Sequence, residues 1–410
     1  MNQSNDRLRL FVASAPGLEP LLREELAVLG IEEATAVPGG VSCFGDLEDV
    51  YRINCGCGLG LRVLVRVAEF FARDFRTLER VVGSLAWERW LHAERGVRVR
   101  AHSQRSRLYH TKAIVERIER GIRVRTADAH VLRGDDRAEG PGGGELGEGG
   151  AEPTLVQVRF VRDRCTISVD TTGTLLHKRG WREQTAKAPL REDIARALLT
   201  VSGWRPGMAV IDPCAGAGTL VIEAARWAAG CSPGGDRRFV CMGAPGFDRA
   251  AFERVRATLD LDCRVGQALG ASFLARDRNA GAVAATVANA ERAGVAEALT
   301  CIEAPLGELE LPVLRCPDGA ALVCNPPWGK RTGDLGRLRN LYATLGKFAR
   351  AAHAQLGDLA GPGQPRPMLR IGLVTSDPGL AHATGLGLER RLTTDHGGIK
   401  VGLWSGVLEG

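Results

Sequence analysis

From about residue 190 onward the chain alternates short apolar runs with helix-length segments, and this alternation restricts the possible folds more than any other feature. The pattern predicts helices over 190–201, 219–229, 279–293 and 336–355. It predicts strands over 207–211, 271–275, 299–302, 320–324 and 369–374. Strands that alternate with helices need crossover connections, so the expected fold class is α/β, a mostly parallel sheet with helices on both faces. Two more strands, 386–393 and 399–408, follow the last helix and read as an antiparallel pair at one edge.

The first 175 residues follow a different pattern. Strands are expected over 8–13, 61–67 and 97–102, and helices over 18–29, 78–85 and 111–120, with short strands in between. On the last helix Ala113, Val115, Ile118 and Ile122 fall roughly on one side. Residues 154–170 alternate as a hairpin turning near Arg162–Arg164. This is an α+β mixture of small units. Residues 126–153 hold seven Asp/Glu against two Arg, and eight of them are Gly. The stretch 134–153 cannot bury a core and is expected to be a surface insertion within one domain. The domain reading is therefore 1–175, a linker 176–189, and 190–410.

Length allows two or three domains with full cores, and no apolar run is long enough to span a bilayer. The polar first ten residues lack the apolar stretch of a secretory signal, so a soluble cytoplasmic protein is expected. The eleven cysteines are scattered, without a Cys-x-x-Cys pair. They read as small buried hydrophobes in a reducing compartment, with no metal site.

Chemistry concentrates at two places. Asp212-Pro213-Cys214-Ala215-Gly216-Ala217-Gly218-Thr219 lies between a predicted strand and a predicted helix. Gly216 and Gly218 let a ligand approach the backbone, and the helix N-terminus favours an anionic group. The spacing Gly-x-Gly lacks the third glycine of a dinucleotide fingerprint, and a tight strand–helix turn is the plain alternative. Asp277 ends the next strand, where a carboxylate can take both ribose hydroxyls; capping the following helix is its other reading. Asn325-Pro326-Pro327-Trp328 follows the buried run 320–324. Two prolines fix the direction of the carbonyls, so the Asn oxygen and a proline carbonyl can accept both hydrogens of a planar exocyclic amine. Trp328 can stack on the base. A rigid turn with a core tryptophan is the alternative. The glycine loop and the turn together indicate S-adenosylmethionine as cofactor and amino-nitrogen methylation as chemistry.

With those residues in place, the C-terminal half resembles the class I S-adenosylmethionine-dependent methyltransferases of the amino-methylating type, with a Rossmann-like domain. The whole chain, over roughly 8–405, resembles the THUMP-domain RNA guanine-N2 methyltransferases, above all the RlmL-like 23S rRNA enzymes. Four segments carry the likeness: 10–19, Ser106 to Lys112, Leu176 to Arg182 with Ala188 to Glu192, and Asn325 to Arg331. The resemblance implies a ferredoxin-like/THUMP region before the methyltransferase domain. It implies cofactor contacts from Leu190, Asp212, Pro213, Gly216, Gly218 and Thr219, a ribose partner in Asp277, and a target guanine held by Asn325, Pro326, Pro327 and Trp328. Glu303 is the candidate beside the adenine. Ala215 and Ala217 stand where the family usually has Cys and Ser, and Trp328 where Tyr is commoner.

An RNA partner fits the charge. The net charge is +6, and residues 94–125 carry ten Arg/Lys against three Glu. Arg105, Arg107, His110 and Lys112 fall at a strand–helix junction suited to phosphates, and Arg179 and Arg182 read as clamps on RNA or caps of a hinge. Aromatics are 5% of the chain, so no broad stacking platform is expected. The leading reading is guanine-N2 methylation, with rRNA favoured. The alternatives are the same chemistry on tRNA, adenine-N6 methylation of DNA, and an inactive RNA-binding assembly factor.

Overall fold

The computed structural model describes residues 7–91, 96–126, 152–183, 189–235, 237–261, 263, 269–328, 335–358 and 368–409. The chain divides into two compact units. The first is Met1–Ser14, Leu22–Leu176 and Asp236–Thr258; the second is Ala15–Leu21, His177–Gly235 and Leu259–Gly410. The expected break near 175 thus misses an exchange: residues 236–258, read as part of the C-terminal domain, fall in the first unit.

The first unit is built on one seven-stranded sheet. Its elements are β1 (Leu8–Ser14), α1 (Glu19–Val28), β2 (Ala34–Val37), β3 (Gly40–Gly45), α2 (Leu47–Gly56), β4 (Gly60–Phe71), α3 (Phe75–Ser84), β5 (Val97–Gln104), α4 (Thr111–Arg125), β6 (Thr154–Val161) and β7 (Arg164–Asp170). The strand order is β2-β3-β1-β4-β7-β6-β5, with β5 and β6 parallel and the other pairs antiparallel. Alternation along β5, β6 and β7 sends Val97, Val99, Val156, Val158, Phe160, Cys165, Ile167 and Val169 to one face. There they pack with Leu78 and Val82 of α3 and Ile114, Ile118 and Ile122 of α4. The buried stripe of α4 is 114/118/122, while Ala113 and Val115, expected on it, are only half-buried. Gly121 permits the close approach of α4 to α3: a Cβ there would lie 2.4 Å from Val82 Cγ1.

The short strands expected after the first helix are β2 and β3; α2, which was not expected, follows them because Asp46 and Asp49 build a capping box. Asp46 Oδ1 accepts the Asp49 N–H, and Asp49 Oδ2 accepts the Asp46 N–H, both at 3.0 Å. Of the acidic glycine-rich stretch, 134–151 lies outside the described residues. Near its end Glu152 is tied to the fold, accepting the Thr174 N–H and hydroxyl at 2.7 and 3.0 Å.

The second unit contains α5 (Glu192–Ser202), β8 (Ala209–Asp212) and α6 (Thr219–Ala228). The chain then passes through α7 (Arg249–Leu259), nearly all of it in the first unit. Next come β9 (Phe273–Asp277), α8 (Ala280–Arg292), β10 (Leu299–Glu303), β11 (Ala320–Cys324), α9 (Leu335–Asp358), β12 (Leu369–Thr375), α10 (Pro378–Ala383), β13 (Glu389–His396) and β14 (Ile399–Leu408). The sheet runs β10-β9-β8-β11-β12-β14-β13. The first five strands are parallel and the last pairing is the antiparallel edge expected. Tyr342, Leu345, Phe348 and Ala352 of α9 bury against Ile211, Leu322, Ile371 and Leu373.

The cysteine reading needs correction. Cys231 and Cys263 are paired as a disulfide with Cα atoms 4.6 Å apart, and the other nine are free. Among the described residues, no helix is long and apolar enough to cross a membrane.

Candidate active site

The sheet of the second unit reverses direction of growth at β8: β9 and β10 add on one side, β11 and β12 on the other. A crevice at the carboxyl ends of the strands follows from that reversal. The parallel registers bring the expected residues to this edge, because Asp212 pairs with Ala275, Glu303 with Asp277, and Ile211 with Leu322. Asn325 follows Cys324, the last residue of β11.

The loop from β8 to α6 is held on every side. Cys214 N–H donates to Asp212 Oδ1 at 3.1 Å, Ala215 N–H to the Arg276 carbonyl at 2.8 Å, and Gly216 N–H to Asp277 Oδ2 at 3.0 Å. From α8, Thr286 Oγ1 donates to the Gly216 carbonyl and Asn289 Nδ2 to the Ala217 carbonyl, both at 3.0 Å. Sequence reasoning missed these two; the signal was a pair of polar residues three apart in an otherwise Ala/Val-rich helix. Gly218 adopts φ +81°, and a Cβ there would lie 2.7 Å from Thr286 Cγ2. It begins α6 without a side-chain cap, and an uncapped helix N-terminus favours an anion.

The carboxylates differ in character. Asp212 is buried, and burial pushes its carboxyl up to about 8, with the Asp277 charge adding to the rise. Asp277 is half-buried, and its oxygens already hold the N–H groups of Gly216 and Asn279. Each oxygen keeps a second lone pair for a hydroxyl. The N-cap of α8 is Asn279, which accepts the Gly281 N–H, so the helix-capping alternative for Asp277 does not hold. Glu303 is exposed beside Asp277 on the neighbouring strand.

At the turn after β11, Pro326 is buried and Pro327 exposed, while Asn325 and Trp328 are half-buried. Trp328 Nε1–H donates to Asn325 Oδ1 at 2.9 Å, an arrangement the sequence did not announce. The Trp328 ring packs against the sheet core and meets His396 edge-on at 6.2 Å. Burial, then the Arg191 charge, lowers the His396 pKa, which favours the neutral imidazole.

Two expected RNA clamps are internal instead. Arg179 is buried in an ion pair with Glu223 at 3.2 Å, because an unpaired charge there would be costly. Arg182 donates to the Leu190 carbonyl at 2.6 Å and to Glu192 at 3.0 Å, and it reaches Thr219 Oγ1 at 3.5 Å. It therefore ties buried Leu190 to the start of α6. Arg105, Arg107, His110 and Lys112 are exposed at the end of β5 and the start of α4, in the first unit. Arg105 has φ +50°, and the Arg107 N–H donates to Asp163 Oδ1 at 2.7 Å.

The glycine cradle, the uncapped α6 N-terminus and the strand-end carboxylates fit S-adenosylmethionine. No cluster of three metal-ligating side chains occurs among the described residues.

Comparison with known proteins points the same way. Residues 179–361 match the RMKL-like methyltransferase domain, and residues 9–64 match the RlmL ferredoxin-like domain. The chain is similar to the ribosomal RNA large subunit methyltransferase K/L of Syntrophotalea carbinolica, 34% identical over 380 residues, covering 88% of this chain and 50% of that protein. The chain thus spans about half the length of the K/L relatives it matches. A Synechocystis protein provisionally named an RNA methyltransferase is 27% identical, covering 89% of this chain and 91% of that protein. A provisionally named methyltransferase solved in complex with SAH shares the fold, with TM-score 0.78, 24% identity and 97% coverage of both chains.

Proposed function

We propose that this chain, which belongs to the RlmL-like methyltransferase family, transfers a methyl group from S-adenosylmethionine to the exocyclic N2 of a guanine in RNA, with large-subunit ribosomal RNA the favoured target. The observation that carries the reading is the Asn325–Trp328 turn at the end of β11, beside the glycine loop at the end of β8. The names of the K/L relatives support the RNA class. Their substrate is also the reason for preferring a cytoplasmic location.

When bound, the cofactor supplies an electrophilic methyl group on a sulfonium. The chain contributes positioning. Gly216 and Gly218 let the loop backbone lie against the cofactor, and the uncapped α6 N-terminus takes its carboxylate. Asp277 accepts from the ribose, and Glu303 from the adenine edge. Asn325 Oδ1 and the Pro326 carbonyl accept the two amine hydrogens, drawing the nitrogen lone pair out of conjugation with the base. Trp328 occupies one lone pair of Asn325 Oδ1 and so fixes the amide; the second lone pair serves the amine. This is a role that tyrosine, commoner at this position, would have to fill differently. The base reaches the turn flipped from its strand.

The test is nucleoside analysis of unmodified RNA incubated with enzyme and S-adenosylmethionine. N2-methylguanosine is the expected product; N6-methyladenosine instead would overturn the guanine assignment.

A further inference from the structure

We infer that the outer face of the first unit's sheet is a docking surface for single-stranded RNA, a deepening that rests on the RNA reading above. The register decides which side chains share this face. Residues opposite in alternation to the buried set on β5, β6 and β7 include Arg159 and Arg164. Phe71 faces Arg164 across β4 and β7, Arg159 faces Thr166, and Phe44 faces Arg9 across β3 and β1. Arg66 pairs with Ser168 and so joins the same face. The two outer phenylalanines are exposed, Phe44 by 42% and Phe71 by 63%.

Each ring on this face is overlaid by a guanidinium. Arg66 lies 4.8 Å from the Phe11 centroid, Arg164 5.1 Å from Phe71, and Arg9 5.9 Å from Phe44. One carboxylate, Glu69, serves both Arg9 and Arg164. The face is therefore short of negative charge where the arginines crowd. Arg66 feels this directly: burial lowers its pKa, and the charges of Arg9 and Arg159 lower it further against the pull of Glu69. An anion laid across the strands relieves that repulsion.

Composition hid this surface. Aromatics are sparse overall, yet three of the eleven phenylalanines sit on one sheet face, each beside an arginine. Rings stack on bases and guanidinium groups take phosphates, and the two together suit an unpaired strand, whose bases are free to stack. A duplex offers its phosphates but keeps its bases paired. The same face continues to the strand ends where Asp163 gathers loops. It accepts the Arg107 N–H at 2.7 Å and an Arg73 N–H at 3.0 Å. Exposed Arg105 and Arg107 thus extend the surface along one edge.

The experiment is fluorescence anisotropy with the full chain and a fluorescein-labelled 12-nucleotide RNA of mixed sequence, alone or annealed to its complement. Two variants on exposed positions of different strands are compared with the wild type, Arg159→Glu and Phe44→Ala/Phe71→Ala, and S-adenosylhomocysteine calorimetry reports folding in each. The expected results are tighter binding of the single strand than of the duplex and at least about fivefold weaker binding by the phenylalanine variant. Arg159→Glu should also weaken binding and flatten the slope of log K against log salt by about 0.7 for each phosphate it ceases to neutralise. Variants that bind S-adenosylhomocysteine and hold RNA as the wild type does would overturn the docking surface while leaving the RNA reading intact. Equal affinity for strand and duplex would overturn it as well. A wild-type chain that neither binds nor methylates any RNA would remove both.

Discussion

Substituting Gly218 by alanine tests whether the cofactor loop is constrained in the way its geometry implies. Gly218 sits at φ +81°, and an added Cβ would meet Thr286 Cγ2 at 2.7 Å, Ile222 Cδ1 at 3.0 Å and Thr286 Oγ1 at 3.1 Å. A left-handed conformation costs a non-glycine residue about 1–2 kcal/mol. Forcing a methyl into a packed site adds about 1–3 kcal/mol. Together these give a loss of roughly 2–5 kcal/mol. In a unit of this size each kcal/mol lowers the melting temperature by about 2–4 °C. Gly397 supplies the control, with φ +62° and nothing within 4 Å of its Cβ position, so Gly397→Ala carries the conformational cost alone. Thr286→Ser keeps the hydroxyl that holds the Gly216 carbonyl and removes the clashing methyl. The double variant should therefore be more stable than the two single losses add up to, by about 1 kcal/mol. Thermal unfolding of the four variants reads this out. Gly218→Ala melting with Gly397→Ala, or no coupling to Thr286→Ser, refutes the packing argument.

Asn325→Ala should lower turnover by about 10²–10³-fold, as loss of one positioned polar group does, with S-adenosylhomocysteine affinity unchanged by calorimetry. Trp328→Phe frees the Asn325 amide and should cost about 2–10-fold in turnover, the worth of one net hydrogen bond; a wild-type rate would deny the indole any part. Asp212 has a folded-state pKa of about 8, above its ordinary 3.8, so its proton stabilises the folded chain. That contribution is present below about pH 4 and is lost as pH rises through 8. Asp212→Asn should remove this part of the decline in melting temperature between pH 5 and 9. Arg179→Met leaves Glu223 buried and unpaired, and should cost about 3–5 kcal/mol of stability by thermal or denaturant unfolding.

The sequence revealed the second unit well because its central strands β8, β9, β11 and β12 are buried on both sides and α8 and α9 are long, so period and length agree. The expected strand over 320–324 is β11 to the residue, and the antiparallel edge appeared as two β-rich runs after the last helix. The site residues from the strand ends gather at one edge because a parallel sheet puts every carboxyl end together. What the sequence hid was tertiary. Arg179 and Arg182 looked like surface charge because sequence gives no sign of the carboxylates on α5 and α6 that neutralise them. The disulfide joins cysteines 32 apart with no motif to mark them. Residues 236–258 fall in the first unit through packing that no local pattern encodes. The aromatic face of the first sheet needed the strand register to be seen.

The central claim is methyl transfer to RNA through the Asn325 turn. The most direct measurement is transfer of labelled methyl from S-adenosylmethionine to separated pools of unmodified large-subunit rRNA, small-subunit rRNA and tRNA. Label in large-subunit rRNA, abolished by Asn325→Ala, is the predicted result; label confined to tRNA would contradict the favoured target, and no label in any pool despite cofactor binding would contradict the claim itself.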